Sequence, residues 1–175
     1  MSDLFRKSSA IISPCGLYRY RLTRTLDGGG TGRIVWVMLN PSKADDEQDD
    51  PTIRRVIGYS RLWGYSVFDV VNLFAWRSTD PDYVPQTERA IGPDNDRHIA
   101  EAVMGRARVV VAWGAGLIEK RGRLLTKARA TAVLDLLAGE HVDPVCLGVT
   151  SKGMPRHPLM VRADAPVLRY AAVRP

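Results

Sequence analysis

Val35-Trp36-Val37-Met38-Leu39-Asn40-Pro41-Ser42 decides how this chain is to be folded. The unbroken apolar run is that of a strand covered on both faces, as in a parallel sheet. Pro41 has no N–H to give to a sheet ladder, so the strand stops there. Asn40 is thereby presented at a strand's carboxyl end, the edge at which open α/β sheets bind ligands.

The same pattern recurs downstream. Val67 to Val71 runs into Asn72-Leu73-Phe74. Val109 to Trp113 closes on Gly114-Ala115-Gly116. A further strand over Asp143 to Val149 leads through the turn Thr150 to Gly153 into Pro155-Arg156-His157-Pro158. Helical patterns separate these strands. Asp50 as N-cap and Pro51 in the first turn open one helix, which carries Ile53, Val56, Ile57, Tyr59 and Trp63 on a single stripe and ends at Gly64. Others are expected over Asp94 to Arg106 and within Leu117 to Ala138. Upstream, Leu17 to Leu26 alternates apolar and polar residues, as an antiparallel or edge strand does, and Asp27-Gly28-Gly29-Gly30 turns it into the first buried strand. Strand and helix in alternation predict an α/β fold, a three-layer α/β/α sandwich with a mostly parallel central sheet, as one domain over residues 1–175.

Composition narrows the class. The 175 residues are 45% hydrophobic and 25% charged, as in an ordinary globular domain. No apolar run approaches the roughly 20 residues that span a bilayer, so no membrane association is expected. Residues 1–14 lack the apolar core of an export signal. Cys15 and Cys146 are the only cysteines, without a CxxC, so free thiols and a cytoplasmic location are expected, with no structural zinc. No cofactor is indicated. The net charge of +6 suits a polyanionic partner, nucleic acid or nucleotide, and equally a merely basic, solvated surface.

The chemistry concentrates at the strand ends. Asn40 and Asn72 each offer a paired donor and acceptor, which suits the edge of a base or an amide. Phe74 offers a flat face for stacking. Pro41 and Ser42 shape the first strand end, Gly114 permits close backbone approach, and His157 can donate to a developing anion or hold a water. Arg54, Arg55 and Arg156 are the candidate phosphate contacts. Asp45, Asp46, Asp49 and Asp50 lie in an acidic loop that lacks the ligand spacing of a calcium loop, so it reads as a solvated loop ending in a helix cap, and no metal ligand is assigned.

MLNPSKAD, DDPTIRR, WGY, VVNLFAWRSTDP, VVAWG and RHPL, in this order and spacing, resemble a bacterial and phage family, domain of unknown function 1643, over about residues 15 to 170. That family carries no assigned activity. More distantly, Asn40-Pro41, Asn72, Trp113-Gly114 and His157-Pro158 resemble the strand-end motifs of the uracil-DNA glycosylase superfamily. That resemblance implies a uracil-DNA glycosylase-like fold. It also implies that Asn40 positions a water, that Asn72 hydrogen-bonds a flipped base, and that His157 stabilises charge on the departing base or contacts phosphate. The chain departs from the superfamily at Met38, where a glycine is usual, and at Leu159, where a phosphate-binding serine is usual. Three functions follow: a glycosylase-like enzyme, a non-catalytic nucleic-acid or nucleotide-binding module of the same fold, or an α/β scaffold acting on another small molecule.

Overall fold

The computed structural model describes residues 8–42, 49–78, 88–105, 108–115 and 123–170. The elements run β1 (Ser8–Ile12), β2 (Arg19–Thr25), β3 (Arg33–Met38), α1 (Pro51–Leu62), β4 (Val67–Asn72), α2 (Asn95–Val103), β5 (Arg108–Val111), α3 (Arg123–Gly139), β6 (Val145–Cys146) and β7 (Leu168–Arg169). Short 3₁₀ turns lie at Glu88–Ala90 and Pro158–Met160.

The strands form one seven-stranded sheet in the order β1-β2-β4-β3-β5-β6-β7. The pairs β3·β4, β3·β5 and β5·β6 are parallel, while β1·β2, β2·β4 and β6·β7 are antiparallel. The sheet is therefore mixed, not mostly parallel as its central strands led us to expect. A buried charge accounts for one of the added strands. Asp69 of β4 is fully buried and must be paired. Arg21 and Thr23 of β2 donate to it at 2.7 and 2.6 Å, so β2 docks antiparallel against β4. Arg33 of β3 completes the pairing at 2.8 Å.

Alternation along each central strand divides the core. Ile34, Trp36, Met38, Phe68, Val70 and Val110 face α1, through Ile53, Val56, Ile57 and Tyr59. Val35, Val37, Val71, Val109 and Val111 face α2 and α3, through Ile99, Ala102, Val103, Val133 and Leu137. Burial on both faces is why these strands read as continuous apolar runs.

Local signals held closely at α1. Asp50 caps it by accepting from the Ile53 N–H at 2.8 Å, and Pro51 is its first residue. Near the turn into β3, a Cβ on Gly30 would lie 2.7 Å from the backbone of Gly64 and Tyr65, so only glycine fits that approach. The expected strand over Asp143 to Val149 shrinks to Val145–Cys146 plus an isolated bridge from Val149 to Pro155. The two cysteines are free, Cys15 exposed and Cys146 buried.

Candidate functional site at the strand ends

Topology fixes where a crevice must open. The chain passes from β3 through α1 to β4 on one side, then through α2 to β5 on the other, so the crossovers diverge at β3. Such a switch point leaves a gap at the carboxyl ends of the strands. Registers that pair Met38 with Asn72 and Val37 with Val111 bring the three ends level. The cavity there has a volume of about 690 Å³, within the range of small-molecule sites. Asn40, Ser42, Asn72, Gly114, Arg156 and His157 all line it.

Asn40 is held by its amide nitrogen. Nδ2 donates to the carbonyls of Pro41 at 3.1 Å and Ser78 at 3.2 Å. Two acceptors on one side fix which way the amide faces. Its Oδ1 accepts from no donor among the described residues and is left as an acceptor for a water or ligand. Pro41 itself does not line the cavity; it contributes its carbonyl to this clamp. Ser42 donates to the Asp50 carboxylate, joining the loop after β3 to the start of α1.

Asn72 forms part of the inner wall. It is 1% exposed, and its Nδ2 has no hydrogen-bond partner among the described residues. Trp113, also 1% exposed, leaves its indole N–H without a partner in the same way. Buried donors are normally satisfied, and each orphan costs roughly 1–3 kcal/mol; both belong to residues that line the cavity, though the N–H atoms themselves are covered.

His157 reaches the site through a close approach. Gly114 has φ +74°, its N–H donates to the Pro155 carbonyl at 2.9 Å, and a Cβ there would stand 3.2 Å from the His157 Cβ. His157 Nδ1 accepts from the Leu159 N–H at 3.3 Å. That bond requires Nδ1 unprotonated, so the neutral ring carries its proton on Nε2. Burial pushes the imidazole below its ordinary pKa, and the negative charge of Asp50 opposes this only partly. His157 is thus a neutral N–H donor at pH 7.

Of the remaining sequence candidates, Phe74, Arg54 and Arg55 lie away from the cavity and Arg156 lines it. Phe74 is buried in the core against α2 and α3 and does not line the cavity. Arg54 is exposed and donates to the Asp49 carbonyl at 2.9 Å. Arg55 donates to the carbonyls of Pro158 and Val161, at 3.3 and 2.7 Å, and so ties α1 to the turn that follows His157. Arg156 lines the cavity from the exposed side, with Nε on the Val149 carbonyl at 3.2 Å. Of the acidic loop, residues 43–48 fall outside the described residues. Asp49 pairs with Arg24 at 3.0 Å and Asp50 is engaged as the cap of α1.

Sequence reasoning passed over Arg19, Ser78, Thr150 and Met160, which also line the cavity. Arg19 is 2% exposed and enters from β2, a strand outside the parallel core. In Leu17 to Leu26 it is one arginine among several, and only the pairing of β2 with β4 brings it to the site.

This fold defines an α/β protein with a cavity at the switch point of its sheet. The family described as protein of unknown function (DUF1643) matches residues 19–159, so the chain belongs to that family. That span runs from Arg19 to the His157 turn and, among the described residues, holds every one that lines the cavity except Met160. Searches of curated proteins and of solved structures returned no match. No helix among the described residues is long and apolar enough to cross a membrane.

Proposed function

We propose that the strand-end cavity binds a nucleobase and that the protein is a uracil-DNA glycosylase-like hydrolase of N-glycosidic bonds, with a three-layer α/β/α core. The observation that carries this reading is the convergence of the residues Asn40, Asn72 and the neutral His157 on one cavity. An acceptor and two donors match what base release requires: a held water, a grip on the base edge, and a donor for charge that leaves with the base.

In this reading Asn40 Oδ1 orients a water toward the anomeric carbon. The water oxygen bonds to that carbon as the N-glycosidic bond breaks, the bond's electron pair leaves on the base, and the attacking water gives up a proton to solvent. The N–H donors of Asn72 and His157 stabilise the resulting anion, which then takes a proton from solvent. Asn40 removes no proton, because a neutral amide is no useful base near pH 7.

One observation favours a non-catalytic binding module instead. Asp50 is the only carboxylate lining the cavity among the described residues, and it is engaged as a helix cap. The deciding experiment incubates the protein with modified and mismatched DNA and with free nucleotides, and scores released bases by mass spectrometry. Base release that disappears in Asn40→Ala supports the enzyme. Binding without release from any substrate leaves the module and removes the enzyme.

A further inference from the structure

The direction of the His157 ring is set by the turn that follows it. Nδ1 accepts from the Leu159 N–H at 3.3 Å and the His157 carbonyl accepts from the Met160 N–H at 2.9 Å, so the ring moves with the turn Pro158–Met160. Burial anchors little of that turn. Pro158 is buried, but Leu159 is 45% and Met160 73% exposed. Polar anchors come instead from α1. Arg55 spans the turn, with Nε on the Pro158 carbonyl at 3.3 Å and Nη2 on the Val161 carbonyl at 2.7 Å. Tyr59, four residues on and so on the same helix face, lies with its ring centroid 6.0 Å from the Arg55 guanidinium carbon. Its hydroxyl donates to the Arg162 carbonyl. A guanidinium suits the task, because its rigid fork of donors reaches two carbonyls at once.

We infer that Arg55 is a positioning residue for the strand-end site, supported by Tyr59: it fixes the Pro158–Met160 turn and, through it, the direction of His157. Arg55 itself does not line the cavity. The inference rests on the reading that His157 serves that site, and it names the residue that holds this histidine in place. Among the described residues, Arg19 of β2, Asp50 of α1 and Arg156 beside His157 are the charged ones that line the cavity with it. The charge that acts on the imidazole is that of Asp50, while burial keeps its pKa below 6.5. Arg55 therefore acts on the ring through the turn and not through its charge.

The experiment is NMR of the full chain with labelled imidazole carbon and nitrogen, followed through a pH titration. The histidines are His98, His141 and His157, and the signal missing from His157→Gln assigns the last. In the parent, His157 is expected to titrate below 6.5 with its neutral proton on Nε2. In Arg55→Met the midpoint should move up toward the ordinary value and the Nδ1–H tautomer should gain population, as the ring meets water and loses the Leu159 bond. His98 and His141 should stay as in the parent. Arg55→Lys keeps a donor without the rigid fork and should recover part of the parent signature. Tyr59→Phe should move His157 the same way by less, and it carries the test if Arg55→Met does not unfold cooperatively. A parent-like His157 in the folded variant overturns the assignment. So does a change shared by His98, which would be a general loosening. The two readings fail separately. Base release, where found, should fall at least about tenfold in Arg55→Met with KM nearly unchanged. A changed His157 signature beside unchanged base release keeps Arg55 as the anchor and removes His157 from the chemistry. An unchanged signature removes the role of Arg55 whether or not a base is released.

Discussion

Asn95 at the start of α2 donates through Nδ2 to the Asn72 carbonyl at 2.9 Å and to the Leu73 carbonyl at 3.1 Å, fully buried. Arg129 of α3 reinforces it, with Nε on the same Leu73 carbonyl at 2.7 Å and Nη2 on Asp96 at 2.5 Å. Two helices thus grip the backbone at the residue whose side chain enters the cavity from the other face of the sheet. Asn95→Ala removes both bonds to buried carbonyls, offset in part because Asn95 Oδ1 has no partner among the described residues. A net loss of about 2 kcal/mol is expected. In a chain of this size that lowers Tm by roughly 4–8 °C. A thermal melt within a degree of the parent would show that the grip carries no stability.

The buried carboxylate of Asp69 makes the fold acid-sensitive in a defined direction. Burial raises its pKa, but hydrogen bonds from Arg21, Arg33 and Thr23 outweigh that and hold it below the ordinary carboxylate value. A depressed folded pKa contributes stability above the unfolded value of about 3.9, which is lost as pH falls through the folded value. Asp69→Asn leaves two partly buried arginines without their counter-charge and should cost about 3 kcal/mol at pH 7, less than a fully buried pair because Arg33 is 30% exposed. Urea unfolding at pH 7 and near pH 3 tests this. The gap between parent and variant should narrow with acid, and a constant gap would assign the loss to packing.

How much of this was legible follows from which interactions are local. The cap and first turn of α1 depend on Asp50, Pro51 and Ile53, a few residues apart, and they fell where the sequence put them. The central strands were visible because burial on both faces leaves a continuous apolar run. β1 and β7 were not visible. Ser8–Ile12 is an exposed or half-exposed edge strand without a hydrophobic run, and Leu168–Arg169 is two exposed residues. Their pairing partners are remote in sequence, and so is the partner that brings Arg19 to the cavity. Phe74 was misplaced for a related reason: β4 ends at Asn72, and past it no strand alternation fixes which way a side chain turns. Asn40, Asn72, Gly114 and His157 came together because each follows directly on a strand end or its return loop.

Gly114 gives a test of geometry apart from stability. Alanine there must adopt φ +74° and meet the His157 Cβ at 3.2 Å. Left-handed backbone costs an alanine roughly 1–2 kcal/mol, a tolerable loss for a folded domain. The histidine, however, must shift by a few tenths of an ångström. Gly114→Ala should therefore stay folded and lose base release or nucleotide affinity by a factor well beyond its small drop in Tm. Unchanged function in the folded variant would detach His157 from the site.

Asn40 and Asn72 should fail differently. Asn40 is half-buried, and its Nδ2 bonds go to loop carbonyls, so Asn40→Ala is expected to abolish base release with under about 1.5 kcal/mol lost in stability. Asn72→Ala removes a donor that has no partner among the described residues, so its stability should barely fall. Its effect should appear as an altered preference among bases. A uniform loss across all bases would make Asn72 a support of the cavity wall and not a reader of the ligand.

His157 sets the pH profile. Burial holds its pKa below 6.5, so the ring stays neutral, with its proton on Nε2, through pH 7 and into mild acid. A histidine depressed in this way contributes nothing to the pH dependence of stability above the unfolded value of about 6.5. Below it, the unfolded chain binds the proton first and stability declines. If the neutral donor is the working form, base release or nucleotide binding should be flat from pH 8 to below 6.5 and fall only in more acid solution. Protonation would break the Leu159 N–H bond to Nδ1, so the two losses should coincide. His157→Gln, which keeps an N–H donor, should retain measurable function without that acid limb, whereas His157→Phe should lose function at every pH. Activity that rises as pH drops below 6.5 would make the imidazolium the working species and overturn the neutral-donor assignment.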